Sequence, residues 1–207
     1  MTHEIPRGLY LVTPDAVNGE VLLSGLRVAL AGRPALVQYR NKLASPQQRL
    51  EQAAACREAC HEAGVLFIVN DSVELALAVG ADGVHIGRED GDPAAARAAL
   101  GPERILGVSC YDEWERAVQA VEAGADYVAF GAMFPSAVKP EAVRAPVELL
   151  RRAKEALGVS VSCIGGITLD NAPQLLEAGA DTVAVISDVF NAPDPAVRAT
   201  AFQALFE

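Results

Sequence analysis

Eight short apolar runs recur along the chain, and stretches rich in Ala, Leu, Glu and Arg at helical spacing lie between them. The runs are Leu9 to Thr13, Leu36 to Arg40, Leu66 to Asn70, Gly83 to Ile86, Ile105 to Ser109, Tyr127 to Gly131, Val161 to Gly166 and Thr182 to Ser187. Runs of this length suit strands buried on both faces, and intervening helices are what parallel neighbours require. Such stretches include Ser45 to Ala63, Val73 to Val79, Asp112 to Ala123, Pro146 to Leu157 and Asn171 to Ala178. The alternation predicts an α/β chain, a single (β/α)8 barrel over residues 1–207.

An internal echo supports the count. Val79-Gly80-Ala81-Asp82, Ala123-Gly124-Ala125-Asp126 and Ala178-Gly179-Ala180-Asp181 each fall between a helix and the next strand. The Gly can take the left-handed conformation that ends a helix, and the Asp can bind nearby backbone N–H groups. These turns belong to the face of a barrel opposite its loops of function, so their expected role is structural.

Composition narrows the function classes. At 51% hydrophobic residues the chain can close one core, and its net charge of −10 repels nucleic acid and anionic membranes. The amino terminus shows no basic-then-apolar signal, and no stretch nears the roughly 18 apolar residues of a membrane helix. A cytoplasmic location is the expectation, and a homo-oligomer is left open. Cys56, Cys60, Cys110 and Cys163 form no CxxC pair; Cys56, Cys60 and His61 read as a small helix face rather than a metal cluster.

Chemistry is therefore sought at the carboxyl ends of the strands. Gly165-Gly166 and Ile186-Ser187 end the last two strands, where bare backbone N–H groups can hold a phosphate. The second strand ends in Gln38-Tyr39-Arg40-Asn41-Lys42, whose alternation sends Gln38 and Arg40 to one side, with Lys42 following. Two cations and an amide suit a pyrophosphate, although pairing of both cations with loop carboxylates is an equal alternative. Asn70-Asp71 and Asp90 end adjacent strands, and the two carboxylates are placed to share one Mg²⁺. His85 lies between apolar Val84 and Ile86, so alternation leaves its direction open, and the expected role is a hydrogen-bonded core residue. Ser109 is a hydroxyl ligand without a histidine base in its local sequence. Phe134 to Pro140 reads as a lid that carries Lys139 over an anion.

Taken in order, these motifs resemble the thiamine-phosphate synthase family. The resemblance rests on the Gln38 to Lys42 segment, Val69-Asn70-Asp71, Gly83 to Asp90, Gly107-Val108-Ser109, Phe130 to Ser136, Ile164 to Thr168 and Val185-Ile186-Ser187. It implies that Gln38, Arg40, Lys42, Asn70 and Lys139 hold a pyrimidine pyrophosphate, that Asp71 and Asp90 bind Mg²⁺, and that Ser109 contacts the reacting group. It further implies that Gly166, Ile186 and Ser187 offer N–H groups to a thiazole phosphate. Ser136 stands at the first of two lid threonines and keeps the hydroxyl, whereas Val138 stands at the second and does not. The implied reaction releases pyrophosphate to leave a pyrimidine cation, which the thiazole nitrogen captures, so Arg40, Lys42, Ser109 and Lys139 act by charge and position.

Two other readings compete. A thiazole tautomerase resembles the synthase in fold but uses a histidine where this chain has Tyr111, and it needs no pyrophosphate site. A noncatalytic sensor of a thiamine-related phosphate draws support from Val138.

Overall fold

The computed structural model describes residues 3–135 and 143–207. Its strands are β1 (Gly8–Val12), β2 (Leu36–Tyr39), β3 (Leu66–Asn70), β4 (Gly83–Ile86), β5 (Ile105–Tyr111), β6 (Tyr127–Phe130), β7 (Ser160–Ile164) and β8 (Thr182–Val185). All pair in parallel and in chain order, and β8 closes on β1, which makes the expected (β/α)8 barrel. The outer ring holds α1 (Gly19–Leu30), α2 (Pro46–Glu62), α3 (Val73–Val79), α4 (Pro93–Leu100), α5 (Trp114–Glu122), α6 (Glu148–Ala156) and α7 (Ala172–Glu177). A short α8 (Ser187–Phe190) and α9 (Pro195–Gln203) complete it.

Local sequence explains where the helices begin. Ser45 and Gln48 form a capping box on α2, and the side chains of Asn18, Ser72, Asp92 and Asp194 accept first-turn N–H groups of α1, α3, α4 and α9. Period-two alternation then sorts the strand residues into two cores. Leu9, Leu11, Val37, Phe67, Val69, Val84 and Val108 pack outward under the helices. Tyr10, Leu36, Ile68, Ile105, Tyr127 and Ala184 fill the barrel.

Six strand ends differ from expectation: β1, β2 and β6 stop one residue short, β5 runs two residues further to Tyr111, and β7 and β8 each stop two short. β7 stops at Ile164 because Gly165 and Gly166 both take positive φ, 105° and 62°. β8 stops at Val185 because Ser187 already begins α8. Extended pairing gives way in both places to backbone that turns its N–H groups away from the ladder.

The repeated Asp residues bind the lower rim as a clamp. Asp82 Oδ2 accepts from Phe67 N at 2.7 Å, Asp126 Oδ2 from Leu106 N at 2.8 Å and Asp181 Oδ2 from Val161 N at 3.0 Å. Each carboxylate also meets a helix cation or imidazole: His61 at Asp82, Arg97 at Asp126 and Lys154 at Asp181. The strand pair β1–β2 has no such Asp. There Leu9 N donates to Gln203 Oε1 at 3.0 Å, so the last residue of α9 completes the ring.

Candidate active site

The upper rim is assembled from loops that the barrel brings within reach of one another. At β2, Thr13 Oγ1 accepts from Arg40 N and donates to Arg40 O, both at 2.9 Å, which ties the strand end to the β1 loop. Asp15 of that loop accepts from Arg40 Nη1 at 3.0 Å and from Lys42 N at 2.6 Å. Of the two sequence readings for these cations, carboxylate pairing is realised for Arg40. The guanidinium retains further donors, so Asp15 aims it without consuming it. Lys42 is exposed, and its charge acts on Asp71.

Asp71 follows β3 with φ at 65°, a left-handed conformation uncommon outside glycine. Its N–H donates to His85 O at 2.8 Å, which fixes the turn against β4. Burial raises the Asp71 carboxyl to about 6, and Asp90, close enough to share a proton with it, pushes in the same direction. Asp90 in turn accepts from Gly87 N at 2.7 Å. A Cβ on Gly87 would meet Asp90 Oδ2 and Tyr111 OH, each at 3.0 Å, so any larger residue here would press on the Asp90 carboxylate. A cleft of about 680 Å³ opens here, lined among others by Lys42, Arg49, Asn70, Asp71 and Asp90.

Two crowded carboxylates with a cation beside them have the donor chemistry of a Mg²⁺ site. Among the described residues no group of three or more His, Cys, Asp or Glu side chains gathers for a metal. Mg²⁺ takes one or two carboxylates and completes its octahedron with water and phosphate oxygens, so the pair alone has enough donors to hold it.

Across the barrel, β7 and β8 end in a backbone cradle. A Cβ on Gly166 would stand 2.3 Å from Pro135 O, and one on Gly165 would stand 2.5 Å from Ala132 Cβ. Asn171 Nδ2 donates to Gly166 O at 3.0 Å and Asp188 accepts from Leu169 N at 3.1 Å, which links the two loops. Among the described residues the N–H groups of Gly166, Ile186 and Ser187 make no backbone hydrogen bond. Ser136, Val138 and Lys139 of the expected lid lie outside the described residues.

Between the two sides, the barrel interior supplies Gln38 and Ser109. No histidine lies near Ser109 in the chain, but the fold brings one to it: His85 Nε2 lies 2.8 Å from Ser109 Oγ across neighbouring strands. Burial pushes His85 down to about 4, so it is neutral and a weak base at neutral pH, and a serine-nucleophile role gains no support. Sequence reasoning missed Thr13 and Asp15. Their only signal was position, directly after β1 on the functional face.

A parallel eight-stranded barrel with cations and carboxylates on one side of its mouth and a glycine-lined backbone cradle on the other defines a phosphate-handling barrel enzyme. Residues 9–189 match the family described as thiamine monophosphate synthase. The chain is 64% identical over 200 residues to a thiamine-phosphate synthase of Azoarcus sp. (strain BH72), covering 97% of each. It is 61% identical over 201 residues to one of Aromatoleum aromaticum, again covering 97% of each. Among solved structures, thiamine phosphate pyrophosphorylase from Pyrococcus furiosus superposes with a TM-score of 0.83 at 33% identity, over 96% of this chain and 95% of that one. The chain belongs to the thiamine-phosphate synthase family, a family of transferases. These matches do not favour the tautomerase or sensor readings. No described helix is long and apolar enough to cross a membrane.

Proposed function

We propose that the chain condenses 4-amino-2-methyl-5-hydroxymethylpyrimidine pyrophosphate with thiazole phosphate, giving thiamine phosphate and pyrophosphate. One observation carries the assignment of sides. The carboxylate pair at β3 and β4 with Arg40 and Lys42 at β2 faces, across the closed sheet, the N–H cradle at β7 and β8. Two separate anion-binding places suit two phosphorylated substrates that must meet over the barrel interior.

On this reading Arg40, Lys42, Asn70 and Lys139 hold the pyrophosphate, and Gln38 contacts the pyrimidine from the interior. Asp71 and Asp90 would hold Mg²⁺, whose positive charge would offset the negative charge of the pyrophosphate. Ser109 contacts the reacting group, and Ser136 adds a lid hydroxyl. Gly166, Ile186 and Ser187 fix the thiazole phosphate so that its ring nitrogen faces the methylene carbon. No proton leaves a substrate carbon in this reaction, and His85, neutral and buried, is not required as a base. The reading also places the activity in the cytoplasm.

The test is condensation of the two purified precursors, with and without Mg²⁺, in wild type and in Asp71→Asn and Asp90→Asn. Metal-dependent product in wild type and its loss in both variants is expected. Binding of a thiamine-related phosphate without any condensation would favour the sensor reading instead.

A further inference from the structure

Five side chains from five strands form an unbroken hydrogen-bonded chain across the barrel. Gln38 Nε2 donates to Tyr10 OH at 2.7 Å, and Tyr10 OH lies 2.6 Å from Tyr127 OH. Tyr127 OH lies 2.9 Å from His85 Nδ1, and His85 Nε2 lies 2.8 Å from Ser109 Oγ. Gln38, Tyr10, Tyr127 and His85 are buried; Ser109 is partly exposed. The two ends are residues assigned above to substrate, and the three between them are not.

The proton count gives the chain a direction. Tyr10 OH accepts from Gln38, so its single proton must go to Tyr127; otherwise that proton would be buried without an acceptor. Tyr127, having accepted from Tyr10, donates its own proton to His85 Nδ1. With Nδ1 an acceptor, a neutral imidazole carries its proton on Nε2 and donates it to Ser109 Oγ. The serine hydroxyl proton is then left free for a group outside the chain. Both ring nitrogens of His85 meet hydroxyl oxygens, an arrangement that a neutral imidazole satisfies with one donor and one acceptor.

Packing holds the geometry. The Tyr127 ring stacks on His85 with centroids 5.5 Å apart and meets Tyr10 edge-on at 5.9 Å. It can do so only over Gly107, where a Cβ would stand 2.0 Å from Tyr127 Cζ.

We propose that this chain runs from Gln38 to Ser109 and fixes Ser109 as a hydrogen-bond donor toward an acceptor atom of the pyrimidine substrate, with Tyr10, Tyr127 and His85 as positioning residues. The functional half rests on the assignment of Ser109 to substrate; the direction of the chain does not.

Long-range ¹H–¹⁵N correlation in protein labelled at its histidines, His3, His61 and His85, reads the direction in wild type. His85 is expected as the Nε2–H tautomer with an accepting Nδ1. An Nδ1–H tautomer or an imidazolium at neutral pH overturns the proposal, and this measurement needs no variant to fold. Tyr127→Phe keeps the ring over Gly107 and deletes the donor. It is expected to release the fixed tautomer and lower kcat about tenfold, with KM for the thiazole phosphate changed less than about twofold. In a Ser109→Ala background the same substitution is expected to change kcat less than about twofold, because its effect passes through Ser109. Equal losses in the two backgrounds overturn the positioning role. An unchanged kcat in Ser109→Ala overturns the substrate assignment of Ser109 and with it the functional half, while the tautomer still decides the direction.

Discussion

The Tyr127 ring fills the space that a side chain at residue 107 would need: a Cβ on Gly107 would lie 2.0 Å from Tyr127 Cζ and 2.3 Å from its hydroxyl oxygen. Tyr127 is buried, so it has no solvent to retreat into. Gly107→Ala is therefore expected to cost about 1–3 kcal/mol of stability, the range for overpacking a filled core. Urea denaturation measures the loss, and the tautomer signal of His85 should shift with it. An alanine accepted at no cost would show that the ring moves freely.

The three Asp clamps rank by burial. Asp126 is 1% exposed and holds Leu106 N, His3 N and Arg97 together, whereas the Asp82 side chain is 29% exposed. Asp126→Ala is expected to destabilise by about 2–4 kcal/mol, because it leaves the buried Leu106 N–H without its acceptor and the part-buried Arg97 without its counter-charge. Asp82→Ala should cost about 1–3 kcal/mol, chiefly for the unpaired Phe67 N–H. Chemical denaturation of the two variants decides; a reversed order would count against burial as the cause.

Gln203→Ala tests the fourth closure. It strips the side-chain acceptor from Leu9 N, a buried donor on β1, and should lower stability by about 1–3 kcal/mol. Hydrogen exchange should quicken first at β1 and α9.

His85 makes the fold acid-sensitive. Its folded pKa, near 4, lies below the unfolded value of 6.5, so the stabilising contribution is present above about 6.5 and is lost as pH falls toward 4. Between pH 7.5 and 5 the loss from this group is about 2 kcal/mol, at 1.36 kcal/mol per pH unit of differential protonation. Asp71, raised to about 6, works in the opposite sense: without metal its contribution is lost as pH rises through 6. Comparing the pH dependence of unfolding in wild type and His85→Gln isolates the histidine. The variant should lose markedly less stability over that range.

Gly166 separates the two substrate sides. With φ at 62° and Pro135 O 2.3 Å from any Cβ, Gly166→Ala should distort the cradle. The expected effect is a rise of about tenfold or more in KM for the thiazole phosphate, with the KM for the pyrimidine pyrophosphate nearly unchanged. Equal rises in both would argue against separate sides.

Much of this was legible in the chain because it is local. Apolar runs of strand length, the helix-rich stretches between them and the repeated Gly-Ala-Asp turns each depend on neighbours a few residues away, and they were enough to predict the barrel. Strand ends also placed Arg40, Asp71, Asp90 and Gly166 on the functional rim, since parallel strands all deliver their carboxyl ends to one face. Only the tertiary structure decided what these groups touch. His85 sat between two apolar neighbours, so period two could not orient it, and its partners Ser109 and Tyr127 are 24 and 42 residues away. Tyr10 and Tyr127, 117 residues apart, meet only when the sheet closes, and Gln203 reaches Leu9 across 194 residues only when α9 docks under β1. Sequence periodicity sets which way side chains alternate along one strand; the closure of the barrel sets which side chains from different strands share the space inside it.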